Sequence, residues 1–414
     1  MKLAAFRLAL ATGLLAPAVA AAQPLPLGAS FRVNATAAGE QNSPDVAADG
    51  ADNFRFVWQT VVGEPAHLDV RTRRLQANGS LGTDSLLSES TDADQRFPHI
   101  DMTDAGDWVA AWLSDHEVET GRLYGRFTTT AGTILGAEFA FTMGLVADAW
   151  SPSVAVTGEE YFVGAWRNID GGHAVRANFR NRAGVQWGVS EIGPAIDSGT
   201  PTAVAGLTDD SWVAAWQYED VFDSAVYVRC HAYDDPTEPA SLVATDPTGE
   251  QRYPDVSSDG ASRFVVVWEE GLAVYARLYR RAANGTCEPD SDEIPVSAAG
   301  QPALYPSVDM ATDGAFVVAW YESTLDDDNG VAAREFTKQG VPVGAPFAAH
   351  PATPGAQVIG AVATSATTFA ITWSTPDAGV GGVRNVQART FRRRVVFTDG
   401  FESDDLAAWS TSQL

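Results

Sequence analysis

Three observations predict an all-β chain folded as a seven-bladed β-propeller of four-stranded antiparallel blades. An apolar run that ends in tryptophan occurs seven times, as FRFVW, WVAAW, YFVGAW, WVAAW, FVVVW, FVVAW and FAITW. These tryptophans, Trp58, Trp112, Trp166, Trp216, Trp268, Trp320 and Trp373, are spaced by 54, 54, 50, 52, 52 and 53 residues, a period in the range of propeller blades. No stretch between them carries helical periodicity. The copy-five run, Phe264 to Trp268, is apolar at every position, as a strand buried on both faces between neighbouring sheets must be.

Taken from the first residue, Lys2 and Arg7 precede the apolar run LALATGLLAPAVA, which ends at Ala20-Ala21-Ala22. The run is too short and too rich in alanine to span a bilayer, and the small residues fit a cleavage site, so residues 1–22 are predicted to be a signal peptide. The expected address is secreted, periplasmic or cell-surface. No later segment is long and apolar enough to span a membrane. Residues 23–397 are assigned to the propeller and 398–414 to a C-terminal tail.

The first recognisable strand is Phe31 to Asn34, and a proline marks the start of the next one in six copies: Pro44, Pro98, Pro152, Pro201, Pro254 and Pro306. Proline is tolerated at a strand's first residue because its missing N–H costs no ladder bond there. The seventh copy has Val358-Ile359 instead. A turn, often Asp-Gly as at Asp49-Gly50, Asp259-Gly260 and Asp313-Gly314, leads into the tryptophan strand, which is hairpin chemistry. A third strand carries Val or Leu with Arg three residues on: Val70 with Arg73, Leu123 with Arg126, Val226 with Arg229, Val274 with Arg277, Val331 with Arg334 and Val386 with Arg389. Copy three departs, with Val175 and Asn178. The repeated arginine suggests a blade-to-blade hydrogen bond or ion pair, with the Asp of a neighbouring turn as its expected partner. A turn, commonly with glycine, and a short fourth strand complete each unit.

Counted this way, the seventh copy lacks a fourth strand and the chain begins with one to spare. Phe31 to Asn34 is therefore expected to pair with the third strand of copy seven, Val386 to Phe391, and so close the ring. Val395-Val396-Phe397 is the rival for that place.

Lys2 and Arg7 lie in the leader, so 25 of the 27 basic residues remain beside 53 acidic ones, a formal charge of −28 for the mature chain. That balance makes nucleic acid and anionic membranes poor partners and suits an acidic, exported all-β protein that guards its sheet edges. Cys230 and Cys287 either form one bridge between adjacent copies or stay as two thiols; the exported address favours oxidation. Six histidines, His67, His99, His116, His173, His231 and His350, lack metal-ligand spacing, and no hydrolase or phosphate-binding motif is present. The acidic departures from the repeat are Asp326, Asp327 and Asp328 in copy six and Glu288 to Glu293 in copy five. Either offers oxygen ligands for calcium, although the first lacks the spacing of a calcium loop.

The unit P-x-V, D-G, F-V-V-x-W, V-x-A-R-x-F resembles a repeat of large secreted bacterial β-propeller proteins, over about residues 28 to 397. The resemblance implies a scaffold or binding surface with no defined catalytic residues. The unit lacks the glycine pair of kelch blades, the Gly-His and Trp-Asp ends of WD40 blades and the S-x-D-x-G-x-T-W box of sialidases. The tail FTDGFESDDLAAWS, Phe397 to Ser410, is similar to the GFESGDLSAWS segment near the ends of many exported bacterial proteins.

The loops after the tryptophans differ most between copies: QTVVGEPAH, LSDHEVETG, RNIDGG, QYEDVFDS, EEGL, YESTLDDDNG and STPDAGVGG. In a propeller they share a face with the loops that enter the innermost strands, the face that usually carries ligands. The expected function is an exported, non-enzymatic scaffold, a monomer, presenting a protein- or glycan-binding face. The alternative is a secreted carbohydrate-active hydrolase or lyase. A binder should show an aromatic or apolar patch on one face, whereas an enzyme should gather carboxylates around the central funnel.

Overall fold

The computed structural model describes residues 23–394 apart from loop segments of seven residues or fewer, among them 117–120, 129–133, 143–148, 169–173, 195–201, 220–223, 233–239, 326–329 and 377–382. The leader, the tail, the rival strand 395–397, Pro201, His173 and Asp326 to Asp328 lie outside the described residues.

Seven antiparallel sheets succeed one another round the ring; in the first six the chain runs up and down from an innermost to an outermost strand, and blade five adds a further short outer strand, Ile294–Pro295. The innermost strands are Gln41–Ala48, Gln95–Met102, Ala149–Thr157, Thr202–Gly206, Gln251–Ser258, Ala303–Met310 and Val358–Thr364. Each touches the innermost strand of the next blade, and the seventh touches the first, so the blades form a closed ring. Several outermost strands are two residues long, as in Ser85–Leu86, Ser241–Leu242 and Phe347–Ala348, which leaves little bare edge for another chain to pair with.

Closure is by the first segment of the described chain. Phe31–Arg32 pairs with Arg384–Arg392, opposing Phe31 to Ala388 and Arg32 to Gln387. The contact extends in both directions: Val33 N donates to Val386 O at 2.9 Å, Leu27 N to Thr390 O at 2.9 Å, and Arg392 N to Leu25 O at 2.9 Å. Asn34 adds a side-chain clasp, its Nδ2 donating to Asn385 Oδ1 at 2.7 Å and its Oδ1 accepting Val386 N at 3.0 Å.

Each tryptophan fills the gap to the preceding blade. Trp268, Phe264 and Val266 pack with Ala203, Val213 and Val226 of blade four, while Val265 and Val267 of the same strand pack with Val308 and Phe316 of blade six. That explains why the run is apolar throughout: alternate residues serve two different interfaces. The seven side chains are between 0% and 2% exposed. Burial of that size stabilises by roughly 2 to 3 kcal/mol per tryptophan.

The prolines do not open the innermost strands. Pro44, Pro98, Pro152, Pro254 and Pro306 each stand fourth in their strand, and the ladder steps over them, as between Asn42 and Asp45 or Arg252 and Asp255. Each sits in a β-bulge, where no ladder bond is asked of its nitrogen. The residue before it is forced to positive φ: Ser43 at 46°, Phe97 at 52°, Ser151 at 49°, Tyr253 at 50° and Tyr305 at 50°. Blade seven bulges at the same place, between Ile359 and Val362, without a proline. There Gly360 approaches blade one so closely that a Cβ would stand 2.3 Å from Pro44 O.

The recurring arginines do link blades, but through carbonyls and not through the Asp of a turn. Nη1 of Arg73, Arg126, Arg229, Arg277 and Arg334 donates to Val33, Leu87, Ile192, Val243 and Val296 O at 2.7, 2.9, 2.7, 2.9 and 3.1 Å, each acceptor lying in the outer segment of the preceding blade. Asn178, the departure in copy three, makes the same bond with its Nδ2, to Phe141 O at 2.7 Å. In copy seven Arg389 Nε reaches Gly28 O at 3.1 Å.

Cys230 and Cys287 are joined by a disulfide, with Cα atoms 5.4 Å apart. Cys287 opens the short strand Cys287–Pro289 and packs onto the core between blades four and five, to which Cys230 also belongs. The bridge therefore ties the outer parts of those two blades together.

Candidate functional site: the central channel and its aromatic mouth

The innermost strands enclose a channel of about 1470 Å³. Their residues alternate, so every second side chain in a strand faces its wall or the seam to the next blade. At these positions stand Asp45, His99 and Asp101, Ser153, Asp255 and Ser257, and Ser307 and Asp309.

These side chains do one recurrent thing. The innermost strand of a blade has a free edge whose amides have no ladder partner, and in blades two, three, four, six and seven a polar side chain from the preceding blade accepts one of them. Asp45 Oδ2 accepts Ile100 N at 2.8 Å, Asp101 Oδ2 accepts Val156 N at 2.7 Å, and Asp255 Oδ2 accepts Val308 N at 2.9 Å. Ser153 Oγ accepts Val204 N at 3.2 Å, and Ser307 Oγ accepts Val362 N at 3.3 Å. Asp309 accepts the Thr364 hydroxyl at 2.6 Å and the Ser257 hydroxyl at 2.8 Å. The carboxylates are thus stitches between blades.

Their burial has an electrostatic cost. Asp101 is pushed up to about 6 by desolvation, with Asp309 adding to the rise and the amides of Val156 and Met102 opposing it. Asp255 is also pushed up to about 6 by burial, against the pull of the Val308 amide and His99. Asp45 and Asp309 are raised for the same first reason. His99 Nδ1 lies 3.6 Å from Asp45 Oδ2 and pulls against that rise.

One mouth of the channel is aromatic. Phe97, Tyr253 and Tyr305 occupy the positive-φ place before the bulge proline, and Tyr321 follows the copy-six tryptophan; all four line the channel. Phe97 is 40% and Tyr305 47% exposed. Tyr253 and Tyr305 meet edge-to-face with centroids 4.5 Å apart, and Tyr305 and Tyr321 do so at 6.3 Å. The residue after three of the tryptophans pins the strained backbone of the next blade: Gln59 Oε1 accepts Phe97 N at 2.8 Å, Gln217 Oε1 accepts Tyr253 N at 3.2 Å, and the Glu269 carboxylate accepts Tyr305 N. A bulky residue at positive φ costs on the order of 1 to 3 kcal/mol, so these rings are held outward at an energetic expense.

Of the acidic calcium candidates, Asp326, Asp327 and Asp328 lie outside the described residues. In the copy-five run, Glu288 meets Arg280 at 2.7 Å, Asp290 meets Arg263 at 3.1 Å, and Glu293 accepts the Thr245 amide. Among the described residues no group of three His, Cys, Asp or Glu side chains is placed to hold a metal ion. The channel carboxylates and the tyrosine row are functional candidates that repeat counting passed over. Their signal was present in the polar residue that follows each proline, in the second polar residue two further on after Pro98, Pro254 and Pro306, and in the aromatic residue before those same three prolines.

The fold is shared widely. The chain superposes on a protein of unknown function from Dyadobacter fermentans with a TM-score of 0.52 at 8% identity, covering 90% of this chain and 99% of that one. It superposes on the α-L-arabinanase of Penicillium chrysogenum, solved with arabinobiose, with a TM-score of 0.50 at 11% identity, covering 77% of this chain and 100% of that one. No protein-family profile matches the chain, and no curated protein matches it in sequence. At such identities the likeness is one of fold alone: this chain is a seven-bladed β-propeller with an acidic, blade-stitched channel and an aromatic mouth.

Proposed function

We propose that this is an exported, non-enzymatic propeller that presents a binding face for a protein or glycan at the aromatic mouth of its channel. The observation that carries the reading is the row Tyr253, Tyr305 and Tyr321, of which two are held at φ 50° by acceptors from the preceding blade. Rings kept on a strained backbone at the channel mouth, Tyr305 exposed and Tyr253 half-buried, suit recognition, because nothing in packing the ring of blades requires them to be aromatic; Ser43 and Ser151 occupy the same place in blades one and three. The channel carboxylates, in contrast, are engaged by backbone amides that the fold must satisfy. The test is a glycan array and a peptide array probed with the wild-type protein and with a Y253A/Y305A variant. Binding to at least one class, lost in the variant while thermal unfolding is unchanged, supports the reading; no binding on either array, or binding indifferent to the substitutions, overturns it.

A second reading, a carbohydrate-active hydrolase or lyase, is favoured by Asp101 and Asp255, both pushed up to about 6 on the wall of a channel large enough for an oligosaccharide. Carboxyls in that range are suited to proton transfer near neutral pH. Calcium at Asp326 to Asp328 remains part of the proposal for the loop of copy six.

A further inference from the structure

We propose that the tyrosine row of blades five and six is a docking site for a basic peptide segment of a protein partner, with an arginine or lysine side chain seated on Tyr305. The inference rests on the binding-face reading and narrows it to a ligand of stated charge. Its starting point is the uneven covering of the mouth. The loop after the copy-five tryptophan is the shortest of the seven, Glu269-Glu270-Gly271-Leu272, and leaves the rings beside it open; Tyr305 is 47% and Leu272 56% exposed.

The charge around the row is mostly acidic, with Arg252 as an opposing cation beside Tyr253 and Glu269. Glu269 and Glu270 stand opposite Arg252 and Gln251 in the ladder that leads to Tyr253, and Glu322 follows Tyr321 directly. Glu250 is spoken for by Arg252 at 3.0 Å. Glu270 Oε2 and Glu322 Oε2 accept the indole N–H groups of Trp268 and Trp320 at 3.1 and 3.0 Å, neutral donors that leave both charges in place. Glu269 is 8% exposed; it holds the Tyr305 amide, and its Oε2 meets no donor among the described residues. Burial pushes the Glu269 carboxyl up, against the pull of the Tyr305 amide and of Arg252, and a further cation would oppose that rise.

Tyrosine faces carry negative potential, and a guanidinium or ammonium within about 6 Å of a ring centroid is attracted to it. Carboxylates grouped around the rings add long-range attraction and raise the association rate. A neutral sugar would gain the stacking and nothing from the charge. An acidic ligand would be repelled.

The experiment is fluorescence-anisotropy titration of labelled hexa-arginine, hexa-serine and a neutral cello-oligosaccharide into the full chain and into Y305A and Y305F, at low and at physiological salt. The expected result is that hexa-arginine binds and hexa-serine does not, that salt weakens binding, that Y305A weakens it by about tenfold or more, and that Y305F, which keeps the ring, stays within about twofold. Because Y305A leaves the net charge unchanged, equal hexa-arginine binding by Y305A and wild type would reduce the effect to general acidity and overturn the proposal. Loss of saccharide binding in Y305A, with no hexa-arginine binding, would also overturn it, while leaving the binding-face reading intact. No binding of any probe overturns the proposal for basic segments, and the two arrays then decide the wider reading separately.

Discussion

Asp101 makes the stitching role of the channel carboxylates measurable. Its Oδ1 accepts Met102 N at 2.8 Å and its Oδ2 accepts Val156 N of the next blade at 2.7 Å. Asn at this position keeps one acceptor and turns the other into a donor, so one buried amide loses its partner, at a cost of about 1 to 3 kcal/mol at every pH. A second, pH-dependent effect runs the other way. The folded-state value is raised from 3.8 to about 6, so the contribution of this carboxyl to stability is present in full below pH 3.8 and is lost as pH rises through about 6. That rise corresponds to at most about 3 kcal/mol, and water in the channel should reduce it to about 1 to 2 kcal/mol. Asparagine does not titrate and carries none of this loss. Urea unfolding of wild type and D101N from about pH 4 to about pH 7.5 should therefore show the variant less stable at the acid end, with the gap closing by about 1 to 2 kcal/mol toward neutrality. A gap that stays constant or widens with pH would mean that the amides, and not burial, dominate Asp101, and the electrostatic account of the channel would be wrong.

Three further outcomes follow from the ring. Deleting Phe31 to Asn34 should lower the unfolding temperature of the whole domain in a single shifted transition, because the outer edge of blade seven and the Arg73 link to Val33 O are lost together; an unchanged melting curve would contradict closure by this strand. Replacing Trp268 by Ala should cost about 3 to 5 kcal/mol in urea unfolding and leave ligand binding in place, since the side chain is 0% exposed within the interface of blades four and five. Thiol titration of the unfolded, unreduced protein should find no reactive cysteine, and C230A/C287A should lose up to about 4 kcal/mol, the loop-closure value for a separation of 57 residues; two reactive thiols per chain would contradict the bridge.

The blade count and the core were legible because they depend on residues that repeat. A tryptophan every 50 to 54 residues, preceded by a doubly apolar run, has few solutions other than stacked sheets. Ring closure was legible by counting strands. The place of the prolines was not, because a bulge is fixed by contacts from the preceding blade, such as Phe97 N to Gln59 and Tyr253 N to Gln217, that pattern along one strand does not reveal. Asn178 looked like a departure in sequence and makes the same inter-blade bond in space. The site was the least legible part. Asp45, Asp101, Asp255 and Asp309 read as ordinary alternating polar residues until the ring brings them to one channel, and the tyrosines read as variants of a serine position until their exposure is known.

The central claim is that this propeller binds through its aromatic mouth and that its channel carboxylates hold blades together. The most direct measurement is reducing-end release from a panel of plant and bacterial polysaccharides by wild-type protein and by a D101N/D255N variant whose fold is verified by circular dichroism. The account predicts no release by the wild type above the level of the variant on any substrate. Release by the wild type that the two substitutions abolish would contradict it and make the channel an active site.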